Sequence, residues 1–231
     1  MQSRKKLTLA MDTSGSPLLL AVEKDGKVFA ARKKGVKQEK LLFPVLNAVL
    51  AKAGAELGDI GRIFIIRGPG RFTGIRISLT FASMMKYLNH TEVRGTTVFD
   101  VIRFQAASSR KFGSWQKRHP QGALGIVLHA FREEYFLQIF DGENAGPAWL
   151  SREELLARLA AYKQPLFLAG SDKDGAPLAG LVGSAYTLAD AKDCKVRPAA
   201  LLEMANNPAW EQNALEPLYL KPARFELVNP V

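Results

Sequence analysis

Residues 67–76 read Arg-Gly-Pro-Gly-Arg-Phe-Thr-Gly-Ile-Arg and connect a short apolar run at 63–66 to a helical pattern at 73–88. A continuous apolar run of this kind is typical of a strand that is buried on both faces. A glycine turn between such a strand and a helix is expected where helices are layered on a sheet. These residues predict an α/β fold in which a helix begins just after the glycines.

The rest of the chain repeats one order of elements on either side of a polar, basic stretch at 108–121. Before it, the patterns predict strands at 7–12, 18–23, 27–31, 63–66 and 93–95, with helices at 42–53, 73–88 and 98–107. After it, strands are predicted at 124–128, 135–140, 148–150 and 166–169. Ser151 and Glu154 predict a helix start there by forming a capping box. The repetition predicts two related lobes, at 1–107 and 108–231.

The composition is that of an ordinary globular protein, with 231 residues of which 47% are hydrophobic and 23% charged. Because Cys194 is the single cysteine, no disulfide can form within the chain. No run reaches the roughly 20 apolar residues that a bilayer core requires, and no secretory signal pattern follows the basic first residues. We therefore expect a cytoplasmic protein with no membrane partner.

The formal net charge of +10 favours an anionic partner, because a positive potential raises the local concentration of nucleic acid. Two clusters carry much of this charge, and each is either a contact with RNA or an ordinary solvated loop. The candidate RNA contacts are Arg32, Lys33 and Lys34 in the first cluster and Arg110, Lys111, Lys117 and Arg118 in the second.

The glycine turn has two interpretations. The first turn of a helix leaves backbone N–H groups unpaired and attracts anions, so the turn is a candidate phosphate site; it is equally explained as a tight connection that needs glycine. Asp12-Thr13-Ser14 at the end of the first strand either holds a metal-bound nucleotide phosphate or forms a local turn. The candidate nucleotide or phosphate contacts are Asp12, Thr13, Ser14, Gly68, Gly70, Thr73 and Gly74.

The sequence lacks a recognisable reaction centre. Its three histidines, His90, His119 and His129, show no metal-binding spacing, and neither a Walker motif nor a GxSxG elbow is present. We therefore expect neither catalytic residues nor a metal site.

The helix at 73–88 is unusual in how its side chains are distributed. Arg76, Thr80, Ser83 and Tyr87 gather on one narrow side, while apolar residues spread over about 220° of the remainder, wider than the stripe of a surface helix. This pattern predicts burial on more than one side, by the other lobe or by another protein.

Three segments resemble the bacterial TsaB (YeaZ) family of tRNA threonylcarbamoyladenosine biosynthesis proteins: residues 9–14, residues 68–77 and residues 217–220. The middle segment is the specific one, and the resemblance is firm over residues 7–107. It implies a two-lobed α/β fold of the actin, Hsp70 and sugar-kinase type (ASKHA) with duplicated βββαβα units. We also expect the tail at 216–231 to pack back on the first lobe.

The resemblance further implies a role in forming N6-threonylcarbamoyladenosine at adenosine 37 of tRNA. Family members act as non-catalytic partners of the catalytic subunit TsaD, whose metal-binding histidines they lack. A TsaE-like ATPase joins the assembly, and the isolated chain is expected to form a homodimer. No cofactor is intrinsic, although ATP or ADP with Mg²⁺ could bind at a subunit junction.

The resemblance places the partner surface on the helices of the first lobe. The expected interface residues are Leu42, Val45, Val49, Ile75, Arg76, Leu79, Ala82 and Ser83. On this expectation, Leu79→Glu or Ala82→Arg abolishes complex formation without unfolding the chain.

The sequence departs from the family at two places. Gln38-Glu39-Lys40 replaces a frequent His-Ser-Glu, and His129-Ala130-Phe131 replaces a frequent Asp-Ala-Arg. Two other functions stay open beside the scaffold: a nucleotide-hydrolysing or phosphotransferase enzyme that uses Asp12 and the glycine turn, and a basic tRNA-binding module.

Overall fold

A computed structural model describes residues 7–35, 37–142, 146–210 and 215–221 of the chain. Its first half contains β1 (Leu7–Asp12), β2 (Pro17–Lys24), β3 (Lys27–Lys34), α1 (Gln38–Lys52), β4 (Ile60–Ile66), α2 (Phe72–Asn89), β5 (Glu92–Thr96) and α3 (Val98–Ala107). Its second half contains α4 (Arg110–Arg118), β6 (Ala123–Phe131), β7 (Glu134–Phe140), β8 (Ala148–Ser151), α5 (Arg152–Ala161), β9 (Leu166–Ser171), α6 (Ala179–Val182), β10 (Thr187–Leu188) and α7 (Pro198–Asn206).

The strands form two five-stranded sheets with the same internal order. The first sheet runs β3-β2-β1-β4-β5, and the second runs β8-β7-β6-β9-β10. In each sheet the first three strands of the repeat are antiparallel neighbours, and the other two run parallel to the central strand. The predicted α/β fold with duplicated βββαβα units is confirmed.

The first unit has its core between the sheet and helices α1 and α2. Leu9 pairs with Val22 on one side of β1 and with Ile63 on the other, and all three side chains are buried. Leu46 of α1 and Ile75 of α2 are buried in the same cluster. The apolar run in β4 is therefore explained by its place inside the sheet, as the sequence predicted.

The second unit has a separate core around β6. Val127 pairs with Leu137 and with Gly170, which repeats the arrangement around β1. Leu155 and Leu159 of α5 are buried against it. The predicted capping box at the start of α5 is confirmed, because the Ser151 hydroxyl accepts the Glu154 N–H and the Glu154 carboxylate accepts the Ser151 N–H.

Two helix predictions are wrong. Helix α1 begins at Gln38 rather than at Leu42, because the Gln38 amide anchors the first turn to the backbone between β1 and β2. Residues 108–121, the polar, basic stretch in which no helix is predicted, contain the helix α4. Its formation depends on burial of Trp115, which the surrounding basic residues concealed in the sequence.

The boundary between the units also differs from the predicted break at residue 107. The described residues up to 101 group with residues 197–218, and residues 102–196 group with residues 219–221. The reason is that α7 packs on β1 and β2 with residues 200, 201, 202, 204 and 205 buried. Residues 197–218, expected in the second lobe, thus complete the first unit.

The tail prediction is tested only in part. The Leu218 N–H donates to the Arg67 carbonyl at 2.8 Å, and the Arg67 guanidinium donates to the Glu216 carbonyl at 2.7 Å. Residues 222–231 of the predicted tail lie outside the described residues. Within the described ranges, none of the helices combines the length and the apolar character needed to cross a membrane.

Candidate functional site

The turn after β1 is a closed hydrogen-bonded structure around Asp12. One oxygen of this carboxylate, Oδ1, accepts the Ser14 N–H at 2.9 Å and the Ser14 hydroxyl at 2.6 Å. Asp12 is buried, and this burial raises the pKa of its carboxyl above the ordinary value. The two bonds from Ser14 and the positive charge of Arg32 act in the opposite direction and are smaller influences. The turn geometry predicted for this segment is present.

The glycine turn packs backbone to backbone against the Asp12 turn. A Cβ atom on Gly70 would lie 2.4 Å from the Ser14 carbonyl oxygen, and one on Gly74 would lie 2.0 Å from that of Thr13. Both distances are shorter than any side chain tolerates, and the obstructing atoms are backbone. These two glycines are therefore required because the two turns approach each other closely.

Two hydrogen bonds fix this approach. The Thr13 hydroxyl donates to the Gly74 carbonyl at 2.7 Å, and the Arg71 N–H donates to the Ser14 carbonyl at 2.8 Å. Because Arg71 directly precedes α2, one backbone donor at the start of that helix is occupied by the protein itself. Of the candidate phosphate contacts, the structure brings together Asp12, Thr13, Ser14, Gly70 and Gly74.

The other two candidate phosphate contacts lie differently. Thr73 is exposed on the first turn of α2. Gly68 has φ +131°, and a Cβ atom there would lie 2.4 Å from the Leu218 carbonyl oxygen. Gly68 therefore accommodates the segment at 216–218.

Gln38 belongs to this site, although the sequence marked it only as a departure from the family. Its Nε2 donates to the Gly15 carbonyl at 2.8 Å and to the Ser16 carbonyl at 3.3 Å. Its Oε1 is buried, has no hydrogen-bond partner among the residues that the structure describes, and lies near Gly74. The side chain thus joins the start of α1 to the β1–β2 turn. The polar residue at the start of an otherwise apolar helix was the signal that could have identified it.

The expected partner interface is largely wrong at the level of residues. Leu42, Val45, Val49, Ile75, Leu79 and Ala82 are all buried in the core of the first unit. These apolar side chains pack in the core of their own unit and are therefore not available to bind a partner. Only Arg76 and Ser83 of the predicted set are exposed.

A different set of residues forms an exposed apolar surface on these helices. Tyr87 is 83% exposed and Leu88 63%, and Phe43, Phe72 and Met84 are also exposed. The Arg76 guanidinium lies 3.8 Å from the centre of the Phe72 ring, and Phe43 contacts Phe81 edge to face. We call this surface, formed by Phe43, Phe72, Arg76, Ser83, Met84, Tyr87 and Leu88, the α1–α2 outer face.

The two basic clusters occupy different units. Arg32, Lys33 and Lys34 end β3, which is an edge strand of the first sheet. Arg110, Lys111, Lys117 and Arg118 are exposed on α4 in the second unit. Lysines on an edge strand also protect it against pairing with other chains, so the first cluster has a sufficient structural explanation.

The described residues include no group of three or more His, Cys, Asp and Glu side chains that could hold a metal ion. Phe131, in the second departure from the family, ends β6 with its ring 55% exposed.

Comparison with known proteins gives matches in sequence and in fold. The profile of the TsaD family, described as tRNA N6-adenosine threonylcarbamoyltransferase, matches residues 35–108. The tRNA threonylcarbamoyladenosine biosynthesis protein TsaB of Buchnera aphidicola is 28% identical over 101 residues, which are 43% of this chain and 48% of that protein. The protein of the same name from Escherichia coli is 25% identical over 137 residues, 59% of this chain and 56% of that protein. The chain thus spans about half the length of these relatives.

A solved structure extends the likeness in fold. YeaZ from Pseudomonas aeruginosa superposes with a TM-score of 0.66 and 20% identity, over 93% of this chain and 100% of that one. The chain is therefore similar in sequence to proteins named TsaB and similar in fold to YeaZ.

Proposed function

We propose that this chain is a non-catalytic scaffold subunit in the formation of N6-threonylcarbamoyladenosine at adenosine 37 of tRNA. Its relatives are named for the biosynthesis of this modified nucleoside, and a TsaD-family profile matches part of it. In this role the chain binds a TsaD-like catalytic subunit and holds it in its active form. A TsaE-like ATPase and a homodimer of the isolated chain belong to the same proposal.

The observation that carries the proposal is the α1–α2 outer face. Phe72, Met84, Tyr87 and Leu88 lie within about 160° of the circumference of α2, at 100° per residue. Exposed aromatic, methionine and leucine side chains on one side of a helix are typical of a partner-binding surface. Arg76 stacked on Phe72 adds a residue type that is frequent among the strongest contacts of interfaces.

The test is assembly with the TsaD-like protein from the same genome, measured by size-exclusion chromatography with light scattering. The variant Tyr87→Ala/Leu88→Glu should lower affinity by at least about 2 kcal/mol, roughly thirtyfold, because it removes two exposed anchors. Val28→Glu is the matched control, since Val28 is 47% exposed on β3, away from this face. Assembly of the double variant with wild-type affinity would reject the face, and failure of the folded wild-type chain to assemble would reject the scaffold role.

A nucleotide-dependent enzyme remains the second candidate, favoured by the buried carboxylate of Asp12 at the end of β1, in a turn that packs against the start of α2. If it is correct, Mg²⁺-ATP should raise the melting temperature of the chain, alone or with its partner, and Asp12→Ala should abolish the shift. Absence of any shift under both conditions would remove this candidate.

A further inference from the structure

Helix α4 presents a uniformly basic surface. Its exposed residues are Arg110, Lys111, Gly113, Ser114, Lys117 and Arg118, so every exposed side chain is either cationic or small. The four cations fall within about 120° of the helix circumference and extend over about 12 Å of its axis. The helix contains no acidic residue.

The charges on α4 are largely uncompensated. Among the described residues, the helix forms one ion pair, between Lys111 Nζ and Asp190 Oδ1 at 3.2 Å, and both of these side chains are about half exposed. Such an exposed pair is weak. Arg118 donates to the Ser114 carbonyl on its own helix, which holds its side chain along the surface.

The opposite side of α4 is fixed firmly to the second unit. Trp115 is buried, with its ring 5.4 Å from that of Phe167 of β9, and Phe112 meets the same ring at 5.2 Å. Ser109 caps the start of the helix by accepting the Phe112 N–H. The cations therefore project from a rigid backbone, and less entropy is lost when they bind a ligand.

We propose that α4 is an RNA-binding surface that contacts the phosphate backbone of tRNA. The choice of tRNA rests on the proposed function, whereas the choice of a polyanion rests on the charges. Lys and Arg supply affinity for phosphates without reading sequence. The surface accordingly adds affinity for any tRNA rather than selecting one.

The composition of the surface favours RNA over two other partners that a basic helix could bind, an anionic membrane surface and an acidic protein. A helix that binds a membrane surface inserts apolar side chains, but Phe112 and Trp115 are turned into the protein. Protein interfaces are centred on apolar and aromatic anchors and are depleted of lysine, and α4 exposes no such anchor.

The experiment measures binding of unmodified tRNA to the full chain by fluorescence anisotropy between about 50 and 200 mM salt. The variant Arg110→Gln/Lys117→Gln/Arg118→Gln keeps good helix formers and the Lys111 pair. It should lower the slope of log affinity against log salt by about 2 to 3 and weaken binding at least tenfold at the lowest salt. The matched control is Lys33→Gln/Lys34→Gln/Lys37→Gln, in which Lys37 is the exposed residue directly before α1. It also removes three charges and should cost much less.

The proposal would be overturned by wild-type tRNA affinity in the α4 variant, or by equal losses of tRNA affinity in the α4 variant and its control. Binding to anionic lipid vesicles is measured on the same proteins. An α4 variant that loses vesicle binding but keeps its tRNA binding would also overturn the proposal. Assembly with the TsaD-like protein is measured on the same variants and should be unchanged. A variant that assembles and binds tRNA normally would reject the α4 surface alone, while a wild-type chain that does not assemble would reject the scaffold role.

Discussion

At the scale of single residues, Asp12 is a buried carboxylate whose charged form is destabilised by the fold. Its carboxylate is buried at the end of β1, and its main hydrogen-bond donor is Ser14, two residues away. Burial penalises the charged form, so the pKa is raised in the folded chain. A group with a raised folded pKa stabilises the fold most when it is protonated, and that contribution is lost as pH rises through the folded pKa.

We therefore predict that the Asp12→Asn variant becomes progressively more stable relative to the wild-type chain as pH rises. The amide oxygen can still accept the two bonds from Ser14, and the buried charge is removed. The difference in unfolding free energy between variant and wild type should increase from about pH 4 and level off above the folded pKa. Urea denaturation at several pH values measures it. A difference that is constant with pH, or a variant that loses stability relative to wild type as pH rises, would contradict the prediction.

A second prediction at the residue scale concerns Gly74. Gly74→Ala should destabilise the chain by roughly 2 kcal/mol or more, because the added methyl group overlaps the Thr13 carbonyl and forces the two turns apart. Gly113→Ala is the control, since Gly113 is exposed within α4 with open space around it. That change should stabilise by about 0.5 to 1 kcal/mol. Thermal unfolding of both variants gives the comparison, and equal effects would refute the close approach of the turns.

At the scale of elements, the periodicity of α2 predicts its exposed polar side correctly but does not show what covers its apolar side. The polar side was correctly identified, since Arg76, Thr80, Ser83 and Tyr87 are exposed. The apolar remainder is predicted to be covered by the other lobe or by another protein, but most of it is buried in the core of its own unit. Periodicity cannot decide which part of a wide apolar arc the fold itself covers, because this depends on strands that are distant in the sequence.

This correction changes the expected outcome of mutating α2. Leu79 is 9% exposed within the core, so Leu79→Glu should unfold the first unit or destabilise it by several kcal/mol, as expected for an unpaired buried charge. Tyr87→Glu changes a side chain that is 83% exposed and should shift stability by less than about 0.5 kcal/mol. Chemical denaturation followed by circular dichroism distinguishes them. A stable Leu79→Glu protein would restore the original assignment of this position to an interface.

Helix α4 illustrates a different limit of sequence reading. The stretch at 108–121 is short and basic, and Trp115 was its one large apolar residue besides Phe112. The helix forms because tertiary contacts with Phe167 stabilise a segment that is too short and too polar to be helical on its own. Tertiary burial of two aromatic rings is not visible in a window of nine residues.

Trp115→Ala should accordingly cost about 3 to 5 kcal/mol, since it removes a fully buried indole ring. Phe43→Ala is a suitable comparison, because that ring is 47% exposed and its loss should cost far less. Urea denaturation compares the two variants. Similar free energies of unfolding for both would show that α4 is not anchored as described.

At the scale of the whole molecule, the duplicated order of strands was evident from the sequence, while the assignment of segments to units was not. Local signals, such as the apolar run of β4 and the capping box of α5, identify elements one at a time. The position of α7 depends on contacts with β1 and β2, which precede it by more than 170 residues. The site formed by the turn after β1 and the glycine turn could be predicted only in part from the sequence. The glycines indicate it, whereas the contribution of Gln38 is seen only in the structure.

We predict that truncation after residue 196 disrupts the first unit, although it removes none of its five strands. Loss of α7 exposes the apolar surface of β1 and β2 that residues 200–205 cover. Hydrogen exchange of β1 and β4 amides should accelerate at least a hundredfold, while a chain that ends at residue 221 should retain protection. Unchanged protection in the shorter chain would show that α7 is dispensable to the first unit.

The late position of α7 also has a consequence during protein synthesis. The ribosome completes the five strands of the first sheet at Thr96 and reaches the end of α7 at Asn206, which at typical translation rates takes on the order of ten seconds. Throughout that interval the nascent sheet lacks α7, while the strands of the second unit are synthesised. The unit that begins the chain can therefore complete its core only after the second unit has been synthesised.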